Sequence, residues 1–299
     1  MIRALRTPAG VDVDLGWVKV APSLVQRYHA AVGADLIEPA ATDRVPLGLA
    51  LSLRGGPLPP VELHDGTVSL HGGHALRAHS RLAVPGRYRV RTRIDSVFEK
   101  SGRSGPLTVI ARSASLCDAR GAVIVDIEDQ QIVRWRPPAG IDRSGAGPTL
   151  REPARPRETG GDDHTGRAPL DLGSVIAVEH RPAPDGAAVR RYAELLADRQ
   201  PMFADHRAAR ALGFADVIVP GPLQAALLED LLSRHLPDWE VTALAFTFRI
   251  SLIAAEPITL SVTVTESGEA PDARHLGVEF TIENAQLERA TLGSATLRR

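Results

Sequence analysis

The segment YAELLADRQPMFADHRAARALGFADVIVPGPLQAALL, residues 192–228, decides the reading of this chain. It begins inside an amphipathic helix. Asp185 can cap that helix, which runs to about Ala197 and carries Val189, Tyr192, Leu195 and Leu196 on one face. Residues 198–216 have no helical or strand period and read as irregular. Pro222 then opens a second helix, PLQAALLEDLLSRHL, as its first-turn proline. Leu223, Ala226, Leu227, Leu231 and Leu232 make that helix apolar on most sides, so it is expected to be buried.

The flanks give the architecture. Residues 174–181 (SVIAVEHR) alternate as a strand. Strands are expected again at 241–252, 257–266, 273–284 and 289–297. The first half repeats the order, with a helix over 22–32, an apolar stretch at Pro46–Leu53, and strands over 67–82, 87–99, 106–118 and 121–134. Between the halves, residues 137–172 are rich in Pro, Gly, Arg and Asp and read as an exposed linker. The expected organisation is therefore 1–136, a linker over 137–172, and 173–299. An antiparallel meander buries one face, and a buried helix can cover it. One such unit, twice over, predicts an α+β protein with a double hotdog fold.

Composition narrows the function classes. The net charge of -1 creates no global field toward nucleic acid or membrane. No stretch approaches the ~20 apolar residues of a membrane span, and the N-terminus lacks the apolar run of a signal peptide. Cys117 is the only cysteine, which excludes an internal disulfide and a thiolate metal cluster and fits a reducing cytoplasm. SGRSG (101–105) lacks the lysine of a phosphate-binding P-loop and reads as a hairpin turn. No G-x-S-x-G elbow of an α/β-hydrolase occurs.

Residues 198–221 resemble the signature of MaoC-like (R)-specific enoyl-thioester hydratases, D-x-N-P-L/I-H-x-D followed by A-x-x-x-G-F and I-x-H-G. Asp198, Pro201, Asp205, Ala209, Gly213, Phe214, Ile218 and Gly221 match in register. The run Gly221-Pro222-Leu223 with Ala225 and Leu227-Leu228 is similar to the mesaconyl-CoA hydratase and 3-hydroxyacyl-thioester dehydratase branch. In the first half FEKSGRSGPLTVI (98–110), IEDQQIVRW (127–135) and LHGGHALRAHSRL (70–82) resemble segments of that branch. The resemblance implies a degenerate first half that widens the pocket and a second half that carries the catalytic loop. It also implies a CoA or acyl-carrier-protein thioester as ligand, in fatty acid or polyketide metabolism, with no cofactor and no metal. The two halves either suffice alone or pair again as a homodimer.

Hydration of an enoyl thioester needs a base for water, an acid for the α carbon and a donor to the thioester oxygen. The resemblance assigns acid–base work to Asp198 and the oxyanion donor to the Gly221 N–H, with Gln200 orienting a neighbour through its amide. Phe203, Pro220, Pro222, Gly73 and His74 are expected around the substrate. Two departures matter. Phe203 and Pro220 stand where the motif has histidines, and neither can exchange protons. His206 could face the loop or solvent. His71 and His74, on either side of Gly72-Gly73, could approach the pocket from the first half. No third metal ligand is evident beside them, so they do not read as a zinc site. Tyr28, His29 and Asp35 read as packing or surface residues. Two functions stay open: an acyl-thioester hydratase or dehydratase, and a catalytically inactive thioester-binding protein or partner subunit.

Overall fold

The computed structural model describes residues 2–5, 8–32, 45–53, 61–102, 105–135, 170–270 and 273–299. Most of the expected linker, and Asp35, lie outside these residues. Among the described residues, twelve strands and five α-helices follow in chain order, the first half holding β1 (Ile2–Leu5), β2 (Asp12–Val20), α1 (Pro22–Val32), α2 (Ala50–Leu53), β3 (Val61–Leu63), β4 (Thr67–Ala78), β5 (Gly86–Gly102), β6 (Gly105–Cys117) and β7 (Val123–Trp135). The second half holds β8 (Val175–Pro182), α3 (Gly186–Leu195), α4 (His206–Ala211), α5 (Gly221–His235), β9 (Glu240–Phe248), β10 (Pro257–Ala270), β11 (Ala273–Glu283) and β12 (Arg289–Arg298).

Ten strands form one antiparallel sheet in the order β2-β5-β6-β7-β4-β9-β12-β11-β10-β8. The order is mirrored about its middle: β2-β5-β6-β7-β4 on one side matches β8-β10-β11-β12-β9 on the other. The seam is the β4–β9 pair, where Ala75 faces Ala245 and Gly73 faces Thr247. The two halves thus share one sheet across a local two-fold relation, which is a double hotdog. β1 and β3 pair separately as a two-stranded ribbon.

The helices lie as the apolar pattern requires. Asp185 caps α3, accepting the Ala188 N–H at 2.7 Å, and Val189, Tyr192 and Ala193 are buried on its inner face. α5 begins at Gly221, one residue before the expected start, and Pro222 occupies its first turn. It is buried on nearly every side, from Gly221 to Leu232, which is why its polar face is so narrow. The two halves meet through α1 and α3, where the Tyr28 and Tyr192 rings pack tilted at 53° with centroids 5.9 Å apart, and the Tyr192 hydroxyl donates to the Pro222 carbonyl at 2.9 Å.

Several boundaries differ from expectation for visible reasons. The strand expected over 241–252 ends at Phe248, where the Arg249 and Ile250 N–H groups share the one Ala290 carbonyl and the regular ladder stops. The strand expected over 67–82 ends at Ala78. Residues 198–216 are not wholly irregular: Pro201–Phe203 form a 3-10 turn, and Asp205 caps α4 through the Ala208 N–H at 2.8 Å. β2 was not expected. Its bulge at Gly16, with φ of +83°, breaks the alternation that would reveal it.

Candidate functional site

The N-terminus of α5 opens onto a cavity of about 120 Å³. Phe203 comes from the turn before α4, and Ile218, Val219, Pro220, Gly221 and Gln224 from the approach to α5 and its first turn. Phe248, Arg249, Ile250 and Ser251 come from the end of β9. The fourth wall belongs to the other half: Leu70 and His71 of β4, and Ile132 of β7. Residues from both halves therefore meet at one cavity because β4 and β9 share a seam.

Gly221 is the first residue of α5, so its N–H has no acceptor within the helix, and the helix dipole adds partial positive charge there. Glycine is required by packing. A Cβ at this position would stand 2.7 Å from the Phe248 ring. Gln224, one turn on, is fixed at both ends of its amide: its Nε2 donates to the Val219 carbonyl at 3.2 Å, and its Oε1 accepts from the Thr291 hydroxyl.

The sequence-predicted residues separate into two groups. Phe203, Pro220 and Gly221 line the cavity, together with His71. Asp198 and Gln200 do not line it. They satisfy each other: Asp198 accepts the Gln200 N–H at 3.1 Å and the Gln200 side-chain amide at 3.3 Å. Pro222 is buried in the helix and presents its carbonyl to Tyr192. Gly73 sits at the seam, where a Cβ would meet the Phe246 carbonyl oxygen at 2.6 Å. His74 is buried behind His71, its ring edge-on to Phe248 with centroids 5.5 Å apart. His206 is the exposed first residue of α4.

A row of polar groups behind the cavity was not foreseen. Arg112 of β6, Asp129 of β7 and His74 of β4 are directly opposite one another across the strands, so they share a face. Arg112 and Asp129 form a buried ion pair, each no more than 4% exposed. His74 Nδ1 lies 3.2 Å from Asp129 Oδ1, and His71 Nδ1 lies 3.9 Å from the same oxygen. Asp129 therefore corrects the expectation that the two histidines have no third ligand-type group beside them. The signal existed in the sequence: Arg112 alternates with Ile110, Ala114 and Leu116, and Asp129 with Val125, Ile127 and Val133, all buried.

The two-fold relation implies a counterpart site in the first half, and a second cavity of about 410 Å³ occupies that place. Just as Pro220 precedes α5, Pro46 precedes a 3-10 turn at Leu47–Leu49 that leads into α2. Here the free N–H groups are already taken. Glu229 of α5 accepts from the Leu47 N–H at 2.5 Å and the Gly48 N–H at 2.6 Å. Burial pushes the Glu229 carboxyl up to about 7, against the opposing pull of those two N–H bonds. Burial likewise raises the Tyr28 phenol well above its ordinary range and lowers the partly buried His29 imidazole. Both side chains line the larger cavity.

No family model matches the chain. The mitochondrial 3-hydroxyacyl-(acyl-carrier-protein) dehydratase FERN of Solanum lycopersicum is 29% identical over 93 residues, which is 31% of this chain and 55% of that protein. The match thus spans about half the length of this curated relative. A solved MaoC-like dehydratase superposes with a TM-score of 0.73 at 17% identity, covering 99% of each chain. A conserved protein of Mycobacterium tuberculosis described as a double hotdog superposes with a TM-score of 0.62 at 18% identity, covering 98% of this chain and 96% of that one. In fold, the described residues of this chain form a double hotdog of the kind found in MaoC-like dehydratases.

Proposed function

We propose that this chain binds an acyl thioester, of CoA or an acyl carrier protein, at the cavity before α5 and acts on it as a hydratase- or dehydratase-like lyase. One observation carries the reading. Gly221, whose N–H has no acceptor within α5, lines a cavity built by both halves, and a backbone donor at such a helix start can stabilise a thioester oxygen as enolate charge develops. The fold of MaoC-like dehydratases and the partial likeness to a 3-hydroxyacyl-carrier dehydratase support the ligand class. The motif matches at Asp198, Pro201, Asp205 and Gly213 support it further. The mirrored strand order supports the division into 1–136 and 173–299 as the two hotdog units.

A second reading has its own observation. The cavity wall at both motif positions is apolar, with Phe203 and Pro220, and Asp198 is turned to Gln200. Such a site can hold a thioester without turning it over, as a binding protein or as the inactive partner of an active hydratase. Hydration of a short and a long enoyl-CoA separates the two. Under the lyase reading the native protein turns over at least one of them, and Phe203→His, which restores an imidazole at the cavity wall, turns over faster. Binding without turnover in both proteins would leave only the binding reading. Asp198→Asn, assayed alongside, shows whether the motif carboxylate takes part: unchanged turnover would assign the proton transfer elsewhere.

A further inference from the structure

We propose that His71, His74 and Asp129 form a site for one divalent transition cation of the zinc class, in the wall between the two halves beside the cavity before α5. The site stands on its own residues and does not depend on the cavity taking a thioester.

The backbone is built to bring these groups together. On a regular strand, residues three apart face opposite sides of the sheet. Between His71 and Gly73 the register of β4 against β7 shifts by one, with Gly72 as the extra residue. That bulge turns His71 to the face of His74. Side chains are excluded from the bulge: a Cβ on Gly72 would stand 2.9 Å from the Ile132 side chain, and one on Gly73 2.6 Å from the Phe246 carbonyl. The result is a His71 and His74 ring pair with centroids 4.9 Å apart.

Asp129 completes the set from the neighbouring strand. One ligand atom from each of the three residues lies within 4.8 Å of the others. The Nδ1 atoms of His74 and His71 are 3.2 and 3.9 Å from Asp129 Oδ1. Two atoms bound to one zinc ion in tetrahedral geometry stand roughly 3.3 Å apart, so the His74–Asp129 pair already has that spacing and the wider pairs, up to 4.8 Å, must close by side-chain rotation. His71 adds an independent sign. Both of its ring nitrogens are buried and neither has a hydrogen-bond partner, a condition that a cation and its bound water relieve.

The chemistry of the set selects the ion. Two imidazoles and one carboxylate suit zinc and its neighbours better than calcium or magnesium, which take oxygen ligands. Arg112 bonds Asp129 at Oδ2 and so turns Oδ1 toward the imidazoles, as outer partners of ligating carboxylates do. Its positive charge weakens the affinity for a dication and sets the limit on how tight the site can be. Three protein ligands leave a fourth position for water or another ligand, and His71 also lines the cavity to which Gly221 belongs. A Lewis acid there would supply what Phe203 cannot, if the thioester reading also holds.

The test uses the full chain, freed of metal with a chelator and titrated with zinc chloride by calorimetry, with cobalt as a spectroscopic probe. The expected result is one zinc per chain at micromolar affinity or better. His71→Ala should weaken binding at least 100-fold. His206→Ala, an exposed histidine away from the site, should bind as the native chain does. Cobalt should give visible d–d bands that His71→Ala loses. His71→Ala lies at a cavity wall, and its unfolding midpoint without metal, equal to that of the native chain, shows that it is folded. No zinc binding at tens of micromolar, or equal binding by native and His71→Ala proteins, overturns the proposal. Neither result bears on whether enoyl-CoA binds.

Discussion

Replacing Glu229 by glutamine tests the balance of forces at the larger cavity. The carboxyl is buried and titrates at about 7, where an ordinary glutamate stands at 4.5. The folded state therefore holds the proton more tightly than the unfolded state. Its stabilising contribution is fully present below pH 4.5 and is lost as pH rises through 7. A difference of about 2.5 pH units corresponds to about 3 kcal/mol, with a steepest slope of about 1.4 kcal/mol per pH unit. Glutamine cannot ionise; its amide nitrogen faces one of the two N–H groups, a cost that does not vary with pH. Urea unfolding at pH 4, 5, 6, 7 and 8 should give a native protein that loses stability relative to Glu229→Gln as pH rises, by about 3 kcal/mol in total. His29, lowered by burial, acts in the opposite sense, but it is common to both proteins and cancels in the difference. A constant difference, or one that grows in favour of the native protein, is the contrary outcome. It would mean that the Leu47 and Gly48 N–H groups outweigh burial and hold Glu229 ionised.

Other outcomes follow from the seam and the polar row. Asp129→Asn leaves Arg112 buried beside a neutral partner and should cost about 3–5 kcal/mol, measured by urea unfolding. A cost below 1 kcal/mol would mean the pair is solvated. Gly73→Ala forces a methyl against the Phe246 carbonyl, which as backbone cannot yield, and should cost at least 1–3 kcal/mol by the same assay. A neutral result would show that the β4–β9 seam is looser than described.

Much of the fold was legible because its signals are local. The cap at Asp185, the proline at Pro222 and the all-round apolar run Leu223–Leu232 each act within a few residues, and α3 and α5 fall where they point. The duplicated order of strands and helices carried the double hotdog. The site was less legible because it depends on pairing. Nothing local joins Arg112, Asp129 and His74, which lie on three strands and meet only through register. Alternation did mark Arg112 and Asp129 as charges on buried faces, and that mark could have been read. Asp198 shows the converse. Its place in the motif is clear, but the turn at 198–200 directs its carboxylate to Gln200 and not to the cavity. Glu229 in the middle of an apolar helix was a further visible anomaly, whose partners at Leu47 and Gly48 only the tertiary fold supplies.

The Gly221 N–H is the donor proposed to receive a thioester oxygen. The structure of the protein in complex with a short acyl-CoA tests it most directly. The expected result is a thioester carbonyl oxygen about 2.7–3.1 Å from the Gly221 nitrogen, with His71 and Phe203 within contact of the acyl group. An acyl-CoA that fails to bind, or one whose thioester lies only in the larger cavity near Glu229, would contradict it.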